Sequence, residues 1–402
     1  MKYAIVIPDG CSDFPLDALG GKTPLEVARI PNMDRVAAEG MVAQTDNVPA
    51  HLPAGSEVAN MTLFGYDPDR YFTGRAPIEA AAQGIVLGEH DWAVRCNLVT
   101  VIDQIMVDFT ADHISTDDAK RLLQELANHI TDSRFEFVAG VSYRNLLIYR
   151  GNETAGPLFS SDTRTCAPHD LTDLSVCDHY PRGPGSDVLT EFMQQSVPLF
   201  AEHAVNRARI AAGHKPATNV WLWGQGRSPV LPSFESRFGL RGTMITAVDL
   251  LRGLAALIGW ERIEVEGATG YLDTNYAGKG LAAVEALDQV DIVCVHVEST
   301  DEASHEGRHD EKIRALEQID EHVVGPVLTK LRSFPEYRML VLPDHPTPCS
   351  TKKHSHGMVP LAVCGAGIPA SGANYSEKVA AASARAFPKG WEMMEAFVRG
   401  TW

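Results

Sequence analysis

Positive charge is scarce in this sequence and nowhere concentrated. Lys and Arg number 35 against 52 Asp and Glu, giving a formal net charge of −17, and no run of Lys or Arg exceeds two residues. Nucleic-acid binding requires a concentrated basic stripe, and a membrane span requires about 20 apolar residues, which the sequence lacks. We therefore expect neither nucleic acid nor a membrane as a partner.

Paired cysteine motifs are also missing. The seven cysteines are an odd number with no C-x-x-C pair, and Cys294 and Cys364 lie inside apolar, strand-like runs. This distribution favours buried, reduced thiols over a disulfide framework. The short N-terminal apolar run leads directly into Asp9 and does not resemble a signal peptide. These features predict a cytoplasmic protein.

Short apolar runs alternate with amphipathic segments, and no internal repeat interrupts the alternation. Strand-like runs are YAIVIPD, NVWLWGQG, DIVCVHVE, YRMLVLPD and PLAVCGAG, and helix-like segments include TPLEVARIPNMDRVAAEG, AVDLLRGLAALIG and EKIRALEQIDEHVVGPVLTKL. Continuous apolar strands are typical of a parallel sheet covered on both faces. The pattern predicts an α/β fold with a mostly parallel sheet flanked by helices.

The middle of the chain has a different pattern. Strand-like AVRCNLVTVIDQIMVDFT, helix-like DAKRLLQELANHI and further strands FEFVAG and SYRNLLIYRG are followed by polar, Pro- and Gly-rich loops. We interpret residues 85–189 as a smaller inserted α+β domain, with residues 1–84 and 190–402 forming a discontinuous core domain.

Several predicted strands end in acidic or histidine residues. These are Asp9 after YAIVIP, Asp344 and His345 after MLVLP, and Glu298 after CVHV with Asp301 and His305 just beyond; His354 precedes PLAVCGAG. Ligands of open α/β sheets gather at the carboxyl ends of the strands. Carboxylates mixed with imidazoles suit Mn²⁺, Zn²⁺ or Fe²⁺ better than Ca²⁺. The pattern favours a site for one or two divalent ions, although each residue alone is more often a cap or a surface residue.

Ser56 is the candidate nucleophile. It follows Ala-Gly and precedes the helix-like segment EVANMTLFG. A serine at this position is commonly only an N-cap. Against a metal ion, its hydroxyl would instead be activated for attack on phosphorus.

A literal H-E-x-x-H runs from His305 to His309. In zinc proteases both histidines lie on one helix, whereas Gly307 disfavours a helix here and the surroundings are polar. We therefore prefer Asp301 with His305 as the ligand pair and expect His309 to be exposed.

Cationic residues with a potential role in phosphate binding are Lys279, Arg75, Arg95 and Arg144. The segment TNYAGKG around Lys279 lacks the residues of a Walker A loop. Lys279 could contact a substrate phosphate or be a solvated lysine, and the arginines could bind phosphate or form surface ion pairs.

Taken together, the motifs resemble those of the cofactor-independent phosphoglycerate mutases of the archaeal type, members of the alkaline phosphatase superfamily. The matching segments run from Lys2 to about Gly367: IPDG, GKTPLEVARIPNMDRVAAEG, PAGSEVANMTLFGYDP, TGRAPIEAAAQGI, RCNLVTV, GATGYLDTNYAGKG, VHVESTDEASHEGR, LPDHPTP and KKHSHGMVP. The resemblance implies an alkaline-phosphatase-like sheet with an inserted domain that closes over the site. It also implies interconversion of 3-phosphoglycerate and 2-phosphoglycerate in glycolysis and gluconeogenesis.

The resemblance further implies specific roles. Ser56 would be the residue that is phosphorylated and dephosphorylated in each turnover. Two divalent ions would be bound, Mn²⁺ in the first place and Zn²⁺, Mg²⁺ or Co²⁺ as alternatives. One ion would be held by Asp9, Ser56, Asp344 and His345, and the other by Asp301, His305 and His354, with His354 preferred over His356. Candidate substrate contacts are Arg95, Arg144 and Lys279.

Two positions depart from the family pattern. Asn60 stands where many archaeal members have histidine, and Met358 stands where proline is common. With parts of the insert, they resemble a bacterial branch proposed to contain homoserine kinases. A homoserine kinase of the same superfamily is therefore the alternative to the mutase. A zinc protease and a non-catalytic binding protein are the remaining alternatives, and assembly into a homo-oligomer is left open.

Overall fold

The computed structural model describes residues 1–154 and 157–402. The chain forms two compact units, one made of Met1–Phe72 and Val230–Trp402 and the other of Thr73–Pro229. The sequence placed the insert at residues 85–189, and the second unit extends beyond both of these limits. Among the described residues, no helix is both long and apolar enough to cross a membrane.

The strands fall into two sheets, one in each unit. In chain order they are β1 (Lys2–Pro8), β2 (Met41–Thr45), β3 (Trp92–Ile102), β4 (Ile105–Asp108), β5 (Phe135–Val141), β6 (Arg144–Tyr149), β7 (Asn219–Gly226), β8 (Gly242–Ile245), β9 (Glu261–Ile263), β10 (Ile292–Val297), β11 (Tyr337–Val341), β12 (Val359–Gly365) and β13 (Ala386–Phe387).

The helix-like segments of the sequence form α-helices, and further α-helices lie outside those segments. In chain order the α-helices are α1 (Pro24–Val27), α2 (Pro31–Glu39), α3 (Ser56–Leu63), α4 (Pro68–Tyr71), α5 (Ala76–Ala82), α6 (Thr116–His129), α7 (Ser186–Ala201), α8 (Ala204–Ala211), α9 (Phe234–Phe238), α10 (Asp249–Leu257), α11 (Tyr276–Ala286), α12 (Ser299–Glu306), α13 (His309–Ile319), α14 (Gly325–Leu331), α15 (Glu377–Ala382) and α16 (Met393–Arg399). The first predicted helix is divided into α1 and α2, since Pro31 supplies no backbone N–H and begins the second helix.

The first unit is built on an eight-stranded sheet in the order β13-β2-β12-β11-β1-β10-β8-β9. Neighbouring strands run parallel except where β12 pairs with β11 and with β2. Helices flank the sheet on both faces: Ala4 and Val6 of β1 join a core with α2, α11, α13 and α14, while Tyr3 packs edge-on against Phe397 of α16. The predicted α/β class with a mostly parallel, helix-flanked sheet is confirmed.

The order of the central strands positions the candidate site. β1 lies between β10 and β11 and is parallel to both. Their carboxyl ends therefore meet at one edge, which brings together the segments that begin at Asp9, Glu298 and Asp344. The alternation of apolar residues in β1 is absent because both of its faces are covered.

The second unit contains an antiparallel sheet in which β3 pairs with β4, β6 and β7, and β5 pairs with β6. The expectation that NVWLWGQG belongs to the parallel sheet was wrong, because this segment is β7 and runs antiparallel to β3. PLAVCGAG does lie in the large sheet, but as β12 it is antiparallel to both neighbours. A continuous apolar run indicates burial of both faces and carries no information about strand direction.

Candidate metal centre

The first group of converging side chains comes from α12 and the loop before β12. Asp301 Oδ2 lies 3.1 Å from His305 Nε2 and 3.4 Å from His354 Nε2, and the two Nε2 atoms are 3.0 Å apart. Ligand atoms about 2.1 Å from one ion in tetrahedral geometry would be about 3.4 Å apart. The three atoms are thus spaced as ligands of a single divalent ion.

Both histidines of this group are oriented by backbone carbonyls. His305 Nδ1 lies 2.9 Å from the carbonyl oxygen of Lys352, and His354 Nδ1 lies 3.1 Å from that of Ala54. A carbonyl oxygen only accepts, so each Nδ1 carries a proton, and in the neutral form of each ring the lone pair is on Nε2. This is the tautomer that a metal-binding imidazole requires.

The second group surrounds Ser56. Its Oγ lies 3.1 Å from His345 Nε2, and that nitrogen lies 3.6 Å from Asp9 Oδ1 and 3.4 Å from Asp344 Oδ2. Asp9, Asp344 and His345 are fully buried. Two carboxylates, an imidazole and a hydroxyl therefore converge on one small volume beside the first group.

Ser56 is not the N-cap of its helix. Gly55 takes that position, and Ser56 is the first residue of α3, with no side-chain capping hydrogen bond at this terminus. Its hydroxyl faces His345 instead. The capping interpretation of Ser56 is therefore wrong, and the hydroxyl is left available for chemistry.

Two observations indicate that the second group is suited to a cation. Asp9 Oδ1 is buried with no hydrogen-bond partner, which is costly for a carboxylate. Burial, followed by the neighbouring carboxylates of Asp344 and Glu298, raises the pKa of Asp9 well above its usual range. A divalent ion would satisfy the orphaned oxygen and offset the repulsion between the carboxylates.

The residue that directly contacts Asp9 is His296, which the sequence analysis did not single out. Its Nε2 lies 2.6 Å from Asp9 Oδ2, and its Nδ1 is 3.0 Å from Thr246 Oγ1. An ionised Asp9 only accepts, and toward that form His296 donates from a protonated Nε2, the reverse of the other histidines. Burial lowers the pKa of His296 to about 3. His296 thus supports Asp9 as a neutral hydrogen-bond donor. The sequence did contain one indication of its role, because His296 is a polar residue inside the otherwise apolar run DIVCVHVE.

Asn60 also contacts this group. Its Nδ2 donates to Asp344 Oδ2 over 2.8 Å and to the carbonyl oxygen of Ser56 over 3.0 Å. The position that departs from the family pattern therefore lies beside a predicted metal ligand and the predicted nucleophile.

Lys279 is buried and is not the solvated lysine that the sequence left open. It is 1% exposed, and its Nζ donates to the carbonyl oxygen of His296 over 3.2 Å. Burial lowers the pKa of Lys279 to about 8, although the carboxylate of Glu298 opposes this shift. Burial together with the carboxylate of Asp301 raises the pKa of Glu298 to about 8.

The remaining predicted cations belong to the second unit. Arg95 of β3 is buried, pairs with Glu79 over 2.8 Å and lies 4.2 Å from the centre of the Trp223 ring. Arg144 begins β6, is exposed and stacks on Tyr143 at 4.8 Å. Arg75 pairs with Glu79 over 3.0 Å. Arg95 is therefore held rigidly within its own unit.

The histidines of the H-E-x-x-H match do not share a helix. His305 lies on α12, which ends before Gly307 in the left-handed conformation (φ +75°), and His309 begins α13. His309 pairs with Asp310 at 3.2 Å, with 29% of its side chain exposed. The geometry of a zinc-protease helix is absent, which removes the basis of that alternative.

The chain is similar to several known proteins. The family model of 2,3-bisphosphoglycerate-independent phosphoglycerate mutase matches residues 37–206. A mutase of that name from Methanothrix thermoacetophila is 47% identical over 92% of both chains. In structure, a protein from Pyrococcus horikoshii aligns with a TM-score of 0.83 and 25% identity, covering 99% of this chain and 96% of the other. The cofactor-independent phosphoglycerate mutase from Thermoplasma acidophilum aligns over 100% of both chains, with a TM-score of 0.67 and 24% identity.

An α/β unit with a serine and groups that could hold a metal ion at its sheet edge suits a metal-dependent phosphoryl-transfer enzyme. The chain belongs to the 2,3-bisphosphoglycerate-independent phosphoglycerate mutase family. Its activity is that of a phosphoglycerate mutase acting on a small phosphorylated substrate, as the resemblance implied.

Proposed function

We propose that the chain interconverts 3-phosphoglycerate and 2-phosphoglycerate through a phosphoserine on Ser56, at a site that holds two divalent ions. The observation that carries this proposal is the 3.1 Å separation of Ser56 Oγ and His345 Nε2, in a buried cluster with Asp9 and Asp344. A hydroxyl in such surroundings is the type of group that attacks phosphorus.

The residues of the cluster are assigned to two ions according to which ligand atoms lie close to one another. One ion would be held by Asp301, His305 and His354, and the other by Asp9, Asp344, His345 and Ser56. Mn²⁺ is our first candidate, as the resemblance implied, although mixed carboxylate and imidazole ligands accept several divalent ions. When bound, the ions would lower the pKa of the serine hydroxyl and stabilise negative charge on the phosphoryl oxygens.

The reaction proposed for Ser56 has two balanced halves. Ser56 Oγ attacks the phosphorus of 3-phosphoglycerate, and the bond from phosphorus to the 3-oxygen breaks. The proton lost by the Ser56 hydroxyl balances the proton gained by the 3-oxygen, and glycerate stays bound. After glycerate reorients, its 2-hydroxyl attacks the phosphoserine and loses its proton, and the departing Ser56 Oγ regains one. Because Ser56 is the first residue of α3, its phosphoryl group would lie at the positive end of the helix dipole.

Lys279, Arg95 and Arg144 are proposed as substrate contacts. Lys279 is supported by its burial and its bond to the carbonyl oxygen of His296 in β10. Arg95 is supported by the ion pair and the ring contact that fix its guanidinium. A fixed guanidinium loses little entropy when it binds a phosphate or carboxylate.

We also propose that the chain works in the cytoplasm, in glycolysis and gluconeogenesis. All seven cysteines are unpaired, and five of them are buried, which suits a reducing compartment.

The experiment measures conversion of 3-phosphoglycerate to 2-phosphoglycerate by Mn²⁺-loaded protein without ATP or a bisphosphate activator. A parallel reaction contains homoserine and ATP. We expect turnover in the first reaction and its loss in Ser56→Ala, with His309→Ala as the active control. Product only in the homoserine reaction would contradict the mutase, and an active Ser56→Ala variant would contradict the phosphoserine.

A further inference from the structure

Thr347 is a buried hydroxyl that links the two ligand groups. It is fully buried, and its Oγ1 donates to Asp301 Oδ1 over 2.6 Å. The same oxygen lies 3.1 Å from His345 Nδ1. Asp301 belongs to one ligand group and His345 to the other, so a single side chain contacts both.

The hydrogen-bond pattern at Thr347 fixes the protonation of His345. A hydroxyl has one proton, and an ionised carboxylate can only accept. The proton of Thr347 is therefore committed to Asp301, and His345 Nδ1 must be the donor to Thr347 Oγ1. His345 Nε2 is then unprotonated and presents its lone pair toward Ser56 Oγ, 3.1 Å away.

Other contacts hold Thr347 in this position. The ammonium of Lys312, which is fully buried, donates to the carbonyl oxygen of Thr347 over 3.0 Å and to Asp13 Oδ2 over 2.9 Å. Gly10, with φ +59°, allows the close packing: a Cβ there would overlap Asp301 Oδ1 and lie 2.6 Å from Thr347 Oγ1. The hydroxyl is thus fixed by its backbone and by the turn that follows β1.

We propose that Thr347 is a positioning residue that sets the affinity of both ion sites through the relay His345 Nδ1–H to Thr347 Oγ1–H to Asp301 Oδ1. The relay keeps the His345 ring in its ligating tautomer and fixes the Asp301 carboxylate so that Oδ2 faces His305 and His354. This inference rests on the proposed two-ion site. Loss of such outer contacts costs about 10–100-fold in metal affinity.

The test compares Mn²⁺ binding by the metal-free parent, Thr347→Val and Thr347→Ser. Valine keeps the shape and removes the hydroxyl, whereas serine keeps the hydroxyl. We expect Thr347→Val to bind both ions about 10–100-fold more weakly and Thr347→Ser to stay close to the parent. Thr243→Val is the matched control: Thr243 is buried, and its hydroxyl donates to the carbonyl oxygen of Glu261 over 3.0 Å, apart from the ligand groups.

The relay would be overturned by any of three results: Thr347→Val binds Mn²⁺ as tightly as the parent, Thr347→Val loses affinity for only one ion, or Thr347→Ser loses as much affinity as Thr347→Val. A parent that binds no Mn²⁺ would overturn the proposed function itself, a distinguishable result. Should Thr347→Val fail to fold, ¹⁵N NMR of labelled histidine in the metal-free parent decides. We expect the His345 proton on Nδ1, and a proton on Nε2 would overturn the inference.

Discussion

The Nε2 atoms of His305 and His354 face each other at 3.0 Å, while both Nδ1 atoms lie against backbone carbonyl oxygens. In the neutral rings, two lone pairs would therefore oppose each other. Such an arrangement requires either a proton on one Nε2 or a cation shared by both. Protonation and metal binding thus compete for the same position.

The stability of the metal-free protein should consequently depend on pH. Burial lowers the pKa of His305, but the carboxylate of Asp301 outweighs this and raises it from 6.5 to about 9. Protonated His305 therefore stabilises the folded protein. This stabilisation is present in full below pH 6.5 and is lost as the pH rises through about 9. We expect the melting temperature in EDTA to fall across this window. With Mn²⁺ the fall should disappear, since metal binding strengthens as histidine loses its proton. A flat profile in EDTA would contradict this assignment.

The two histidines of the KKHSHG segment should differ sharply in metal binding. His354 faces Asp301, whereas the exposed His356 has its Nε2 2.9 Å from the carbonyl oxygen of Leu52. His354→Ala should lower the affinity for one of the two Mn²⁺ ions by at least about 10–100-fold. Loss of an outer contact to a ligand already costs this much, and loss of the ligand itself should cost no less. His356→Ala is the matched control and should bind two ions normally. Equilibrium dialysis with metal analysis distinguishes the variants, and equal losses would argue against His354 as the ligand.

Lys279 should make substrate affinity depend on pH. Burial lowers its pKa to about 8, so its charge is present below that pH and lost above it. We expect KM for 3-phosphoglycerate to rise as the pH passes 8. Lys279→Arg should not show this rise, because arginine keeps its charge. Lys279→Met should raise KM about 10–100-fold at pH 7, since a charge-assisted hydrogen bond contributes about 1.5–3 kcal/mol. An unchanged KM in Lys279→Met would remove this residue from substrate binding.

Removal of the His296 imidazole should destabilise the metal-free protein through Asp9. The His296→Ala variant leaves Asp9 Oδ2 buried without its donor, which costs about 1–3 kcal/mol. Urea unfolding in EDTA measures the loss. In an Asp9→Asn background the loss should shrink, because the acceptor is no longer charged. If the losses of unfolding free energy in His296→Ala and Asp9→Asn simply add in the double variant, His296 acts by packing alone.

The strand-end residues were predictable because the carboxyl ends of parallel strands define a location. Asp9 and Asp344 stop two apolar runs, and both lie at the predicted edge. Asp301 and His305 were chosen as a pair because they are four residues apart, and α12 places residues of that spacing on one face. The helix itself was not predicted, because Gly307 was expected to disfavour it. These inferences need only local sequence and the class of fold.

The supporting residues could not be predicted in the same way. His296, Asn60 and Thr347 each contact at least one side chain that is distant in sequence, as in the bond between Asn60 and Asp344. No spacing rule connects them. In the sequence, each looks like a polar residue that happens to lie in a buried segment, with nothing to indicate a role in the site. The direction of β7 was missed for a related reason, since strand direction depends on pairing with β3 and not on composition.

The phosphorylation of Ser56 is the central claim, and it can be measured directly. The Mn²⁺-loaded protein is mixed with 3-phosphoglycerate, quenched in acid during turnover and digested, and the peptide containing Ser56 is examined by mass spectrometry. The account predicts one added phosphoryl group on Ser56, which is absent without Mn²⁺. Active protein in which Ser56 remains unmodified, or in which the phosphoryl group resides on another residue, would contradict it.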